Sequence, residues 1–219
     1  MLDQPTLHPG QTLLSTVRHG LTELNRDQRV GGRIDVPLID DGREQALEAA
    51  ATFAGTPFDV VVSSPLQRSI ETASIVTGLP PAAVEVDELA TERSFGDMEG
   101  IDPAQVPQRY PQVRYHRVGH IGYSLNPPGG EPFEDLQARA GRFLDGLLTR
   151  HGGKRILLFS HQNFLQQLHG VILGLGPIEA LENDILNCEL NRFYLAADGS
   201  LLAHQKVQLC ATAARYPSF

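Results

Sequence analysis

The chain predicts an α/β protein, a three-layer sandwich with a mostly parallel central sheet and an inserted cap segment over about residues 101–132. Three observations predict it. Short apolar or β-branched runs alternate with segments of helical period. The 219 residues, 41% hydrophobic and 20% charged, have ordinary globular composition and suit one core with a cap, read as a single domain over 1–219. Between 101 and 132 the pattern loosens, with Pro103, Pro107, Pro111, Pro127, Pro128 and Pro132 set among irregular polarity.

The elements follow in order. Residues 11–18 read as a first strand that stops at His19-Gly20. Asp41-Gly42-Arg43-Glu44 resembles a capping box opening a helix with Ala46, Leu47, Ala50 and Phe53 on one side. Residues 59–62 are a β-branched run and so a buried strand. Ser64, Pro65 and Gln67 then offer N-cap, N1 and N3 of a helix that runs to Thr77, with Gly78 positioned just past its end. Residues 84–86 form a short third strand. Helical period returns over 133–151 through Leu136, Ala140, Phe143, Leu144 and Leu147, and Gly152-Gly153 ends it. Residues 155–160 are another buried strand, followed by a helix over 163–173. Residues 189–196 and 201–207, joined through Asp198-Gly199, form a terminal hairpin whose edge strand could pair in a homo-oligomer.

Charge narrows the function classes. Lys and Arg number 18 against 26 Asp and Glu, a net charge of −8, which argues against nucleic acid as a partner. An anionic small molecule would need a local concentration of Arg and His. Apolar runs such as 156–159 are strand-sized, far below the roughly 20 residues that span a bilayer, so no membrane association is expected. No signal peptide is readable over 1–11. Cys188 and Cys210 read as reduced thiols, and the protein is placed in the cytoplasm.

In parallel α/β sheets, ligands bind beyond the carboxyl ends of the strands. Those positions hold Arg18-His19-Gly20, Ser63-Ser64-Pro65 leading to Arg68, then Glu92, and His161. Two His, two Arg and one Glu converge on one sheet edge.

The same residues sit in motifs. Arg18-His19-Gly20-Leu21-Thr22-Glu23-Leu24-Asn25, Gly32-Arg33-Ile34-Asp35-Val36-Pro37-Leu38, Ser63-Ser64-Pro65-Leu66-Gln67-Arg68, Glu92-Arg93-Ser94-Phe95-Gly96, Pro128-Gly129-Gly130-Glu131 and Ser160-His161 occur in that order. Together they resemble the histidine phosphatase superfamily, with its phosphoglycerate mutase-like fold, over about residues 13–195. The resemblance implies a phosphatase that hydrolyses a small-molecule phosphate ester through a phosphohistidine, with neither metal nor cofactor.

The chemistry suits the residue types. A phosphomonoester is a dianion, and its transfer is mostly positioning plus electrostatic stabilisation. Arg18 and Arg68 supply forked, permanently charged donors, and His161 a further donor if protonated. His19 is the expected nucleophile, its tautomer fixed by a backbone carbonyl. Glu92 fits the general acid, its pKa raised by burial and by the phosphate. Asn25, Thr22 and Gln162 would complete the phosphate pocket by neutral hydrogen bonds.

Other features have plainer readings. Arg68 taken alone would pair with Glu71. His116 and His120, at i,i+4, could hold a metal only on a helix, and no third ligand accompanies them. His169 reads as packing. Arg109, Arg114, Tyr115, Arg117, His120 and Tyr123 make the cap locally basic, as a solvated face or as a lid that meets the non-phosphate part of the substrate. Leu24 and Met98 stand where the family usually has Trp, and Gln162-Asn163-Phe164 where it often has small residues, which alters the substrate wall. Mutases of the family carry Glu-Arg-His-Tyr-Gly where this chain reads Glu92-Arg93-Ser94-Phe95-Gly96, and they have longer insertions. That favours hydrolysis over phosphoglycerate mutase-type transfer. A protein phosphatase or a non-catalytic regulatory module on the same fold is the remaining alternative, and the second would be expected to lack one of Arg18, His19, Arg68 and His161.

Overall fold

A computed structural model describes residues 7–210. The expected 1–219 domain extends past these bounds at both ends, and the first six positions of the stretch read for a signal peptide lie outside them. In chain order the elements are β1 (Thr12–Arg18), α1 (Glu23–Arg26), α2 (Asp40–Phe53), β2 (Val60–Ser63), α3 (Gln67–Thr77), β3 (Glu85–Val86), α4 (Val106–Arg109), β4 (Tyr115–Val118), β5 (Ile121–Ser124), α5 (Phe133–His151), β6 (Arg155–Ser160), α6 (Gln162–Leu173), β7 (Glu189–Leu195) and β8 (Leu201–Gln208). Six strands form the central sheet in the order β3-β2-β6-β1-β7-β8. The first four of that order run parallel, and β7 and β8 return antiparallel.

Alternation along β6 builds the layers. Ile156 and Leu158 face a core completed by Leu136, Phe143 and Leu147 of α5 and Phe164 and Leu168 of α6. Leu157 and Phe159 face the other core, with Ala46 and Phe53 of α2 and Ala73 and Val76 of α3. Every residue of β1 is buried, as a strand covered on both faces must be.

Two helix starts differ from the sequence reading. The capping box expected at Asp41 is absent. The Thr22–Leu38 bridge and the bond from Ile39 N to Leu21 O keep the chain extended up to Ile39, so α2 begins at Asp40 with no side-chain cap. Nor does Ser64 cap α3. That helix begins at Gln67, whose N–H is taken at 2.7 Å by the carboxylate of Asp35, from a distant loop. Gly78 closes α3 in the left-handed conformation, as expected, at φ 72°.

The cap is more regular than its prolines suggest. Residues Tyr115–Val118 and Ile121–Ser124 pair as an antiparallel hairpin turning at Gly119, with φ 57°. His116 and His120 therefore lie on a hairpin rather than on one helix face, and the spacing loses its metal-site meaning. Among the described residues no group of three or more His, Cys, Asp or Glu is arranged for a metal, and no helix is long and apolar enough to cross a membrane.

His169 packs inside, as read. Its Nε2 meets Thr16 Oγ1 at 2.9 Å and its Nδ1 meets Asn183 Nδ2 at 3.1 Å. Burial, reinforced by His204 and Lys206, pushes its pKa down to about 3. The unfolded chain takes up a proton near pH 6.5 that the native state refuses. The stability contributed by neutral His169 is thus complete above pH 6.5 and is lost as pH falls towards 3, by about 2 kcal/mol at pH 5. The melting temperature is expected to fall more steeply between pH 7 and 5 in the native sequence than in His169→Gln; equal slopes in thermal scans would contradict this.

Candidate active site

The register of β1 on β6 places the site. Arg18 lies opposite Ser160, and the bond from His19 N to Ser160 O, 3.0 Å, continues the ladder one residue further. His19 and His161 thus leave adjacent parallel strands side by side, with ring centroids 5.0 Å apart. On the other flank of β6, Ser64 N bonds Phe159 O, which brings the start of α3 and its Arg68 to the same edge.

His19 is held in one tautomer. Its Nδ1 lies 2.6 Å from Gly20 O, so Nδ1 carries the hydrogen and Nε2 the lone pair. Arg68 Nε donates to that Nε2 at 3.2 Å. Burial first, then the Arg68 and Arg18 charges, holds the His19 pKa well below its ordinary value, so the ring is neutral at physiological pH. Gly20 and Leu21 are pinned in turn by Thr72 Oγ1 and Gln45 Oε1. This close approach of α2 requires glycine at position 42, where an added Cβ would stand 2.1 Å from Leu21 O.

The arginines are buried cations satisfied by carbonyls. Arg68 donates to Gly32 O and Ile34 O at 2.8 and 2.7 Å, and burial lowers its pKa to about 10, leaving it charged. The plainer alternative, Arg68 paired with Glu71, does not hold; Glu71 instead bonds Arg43 and Leu38 N. Arg18 Nη1 donates to Ile185 O at 2.6 Å.

Glu92 sits against the start of α6. Its Oε1 accepts from Arg93 N and Phe164 N at 2.8 and 3.1 Å, and its Oε2 from Asn163 N at 3.3 Å. Arg139 fixes the loop that carries it, donating to Leu89 O, Thr91 O and Glu92 O. Arg139 also binds both carboxylate oxygens of Glu131, at 2.8 Å each. Burial pulls the Glu131 pKa up, but the Arg139 bonds win and leave it below its usual value.

The condition set on His161, protonation, is not met in the free site. Burial, with Arg68, His19 and Arg18 adding, holds its pKa well below its ordinary value, so it is neutral and offers a single N–H. Its Nε2 lies 2.7 Å from Ser64 Oγ, and its Nδ1 has no partner among the described residues. Thr22 and Asn25 cap α1 reciprocally, with Thr22 N and Oγ1 donating to Asn25 Oδ1 and Asn25 N donating to Thr22 Oγ1. Gln162 Nε2 reaches Asp184 Oδ1 at 3.2 Å.

A cavity of about 510 Å³ opens over this edge, lined by Arg18, His19, Thr22, Asn25, Arg68, Glu92 and Gln162, together with groups from the cap. His161 stands behind that wall. Of the predicted residues the structure therefore brings seven to one cavity and sets the eighth against His19. Sequence reasoning missed Arg139, whose place on the apolar stripe three residues after Leu136 marked it as buried. It also missed Asn187, whose Nδ2 donates to His19 O at 2.7 Å from a loop without sequence signal.

Neutral imidazole beside charged arginine thus stands at the carboxyl edge of a parallel sheet in an α/β fold. The sequence profile of the Histidine phosphatase superfamily (branch 1) matches residues 14–207, and the chain belongs to that superfamily. It is 34% identical over 192 residues to the bifunctional protein Rv2228c of Mycobacterium tuberculosis, covering 86% of this chain but 52% of that one. It is 31% identical over 196 residues to a 2,3-bisphosphoglycerate-dependent phosphoglycerate mutase of Azorhizobium caulinodans, covering 86% and 95%. The chain thus spans about half the length of the mycobacterial relative. The alpha-ribazole phosphatase structure from Shigella flexneri shares the fold, with TM-score 0.76, 24% identity, and coverage of 89% of this chain and 96% of that one.

Two expectations follow. The His19 ring should keep the NMR shifts of a neutral Nδ1–H tautomer as pH falls from 7.5 to about 6, where an ordinary imidazole is mostly protonated; protonation in that range would contradict the assignment. Gly42→Ala should destabilise the fold by about 2 kcal/mol or more, read by denaturant melts, because backbone rather than a flexible side chain must move.

Proposed function

We propose that the protein is a phosphatase hydrolysing a small-molecule phosphomonoester through a phosphohistidine on His19. The observation that carries this reading is the fixed tautomer, with Nδ1–H on Gly20 O and the Nε2 lone pair facing Arg68 in the cavity. Arg18 and Arg68 bind the phosphoryl oxygens, and Arg68 Nε–H turns from Nε2 to one of them. Nε2 attacks phosphorus as the ester P–O bond breaks. Glu92, protonated in the complex, gives its proton to the leaving alkoxide. Water then attacks the phosphoramidate, Glu92 takes its proton, and the P–N electron pair returns to Nε2. His161 Nδ1–H, Asn25 and Gln162 donate to the phosphoryl group, and Thr22, whose N–H and hydroxyl both go to Asn25 Oδ1, orients Asn25. The residues that suit this chemistry supply its positive charge, so no metal or cofactor is called on, and a reducing cytoplasm suits the buried Cys188 and Cys210, which form no disulfide.

Phosphoglycerate mutase-type transfer is the second reading, favoured by the likeness to the Azorhizobium mutase. Hydrolysis is preferred because the cavity wall includes Arg29, Tyr115, Arg117 and His120, all exposed, so water reaches the phosphohistidine.

His19→Ala should lower phosphate release by roughly a thousandfold or more and abolish acid-labile, base-stable labelling; wild-type turnover in that variant would sink the proposal. Glu92→Gln should lose roughly 10²–10⁴-fold and accumulate phosphoenzyme from p-nitrophenyl phosphate, whose leaving group needs no proton. Release of inorganic phosphate, rather than primer-dependent interconversion of phosphoglycerates, separates hydrolase from mutase.

A further inference from the structure

The cavity has a second cationic wall that phosphoryl transfer does not use. The register of the cap hairpin sets Tyr115 opposite Ser124 and Arg117 opposite Gly122, and these four line the cavity. The alternate residues Ile121 and Tyr123 are buried in the core, so the hairpin presents one face inward and the other to the ligand space. Gly122 adds no side chain beside Arg117, and the Tyr115 ring lies over it, 3.5 Å from where a Cβ would stand. Arg29, from the loop after α1, also lines the cavity and is steadied by a bond from its Nη1 to Gly100 O at 3.1 Å.

Charge balance makes this wall unusual. Acids outnumber bases by eight in the chain, yet among the described residues neither Arg29 nor Arg117 has a carboxylate within ion-pair distance. The two carboxylates that line the cavity are already engaged. Glu92 takes three backbone N–H groups, and Asp102 Oδ1 takes Ala104 N at 2.9 Å. A volume of about 510 Å³ is also in the range, roughly 300–1,000 Å³, that holds a whole small organic molecule rather than a phosphate alone.

We propose that Arg117, with Arg29, forms a second anion subsite, so that the substrate is a phosphomonoester whose leaving group itself carries an anionic group. The inference rests on the phosphatase reading of the site. A carboxylate or a second phosphate matches the guanidinium fork equally, and the Tyr115 ring covers the carbon skeleton between the two charges.

Matched esters test it. In the carboxylate arm, O-phosphoserine is compared with phosphoethanolamine; in the phosphate arm, fructose 1,6-bisphosphate is compared with fructose 6-phosphate. The anionic member of at least one pair is expected to be preferred about tenfold or more in kcat/KM. Arg117→Gln should remove most of that preference through KM, Arg117→Lys should restore part of it, and Arg142→Gln, exposed on α5, should leave it unchanged. Parity within both pairs, or equal loss on both members in Arg117→Gln, overturns the subsite while leaving the phosphatase reading intact. If no ester releases phosphate, p-nitrophenyl phosphate included, both readings fall together.

Discussion

The parallel pairing of β1 with β6 is the constraint on which the site depends. It fixes His19 beside Ser160 and therefore beside His161, and the flanking β2 on β6 brings Ser64 and the start of α3 to the same edge. A one-residue slip would turn every side chain of β1 to the opposite layer. Because β1 is buried on both faces, with Leu14 in one core and Val17 in the other, such a slip would misplace apolar side chains throughout. The packing of two cores thus holds a side-chain geometry at this edge that local hydrogen bonds alone could not specify.

Burying four guanidinium groups, Arg18, Arg68, Arg93 and Arg139, raises a solvation problem that this edge solves largely with backbone carbonyls. Arg18 uses Ile185 O, Arg68 uses Gly32 O and Ile34 O, Arg139 uses three carbonyls beside Glu131, and Arg93 uses Glu131 O while its guanidinium lies 3.6 Å from the Phe133 ring centroid. Carbonyl dipoles orient Arg18 and Arg68 without cancelling their charge, whereas the bidentate Glu131 carboxylate neutralises Arg139. The positive field is therefore preserved for a ligand inside a chain of net charge −8, and the global total says little about the site.

Local patterns carried most of the fold. The helix Phe133–His151 and the strand Arg155–Ser160 have the bounds that periodicity predicts, because each meets its neighbours along one regular face. Motif positions at strand ends likewise located Arg18, His19, Glu92 and His161. What escaped reading was decided by distant partners. Asp35 rather than Ser64 caps α3, Arg43 rather than Arg68 claims Glu71, and Asn187 and Ile185 reach His19 and Arg18 from the loop before the neighbouring β7. The cap hairpin was hidden for another reason: its period-two pattern is short and flanked by prolines that suggest irregular backbone.

Protonation in the site follows from the same crowding. His19, His161, Arg18 and Arg68 all have pKa values lowered by burial, and the two histidines are lowered further by the arginines. In the proposed reaction an arriving phosphate dianion would reverse the sign of the field that these groups experience. For His19, held by Gly20 O, the lone pair stays on Nε2. For His161, whose Nδ1 has no partner and whose Nε2 meets Ser64, the same anion favours a proton on Nδ1. The two imidazoles are neutral for one reason, burial among cations, yet their different hydrogen-bond partners leave one with a lone pair beside Arg68 and the other with an unpartnered Nδ1.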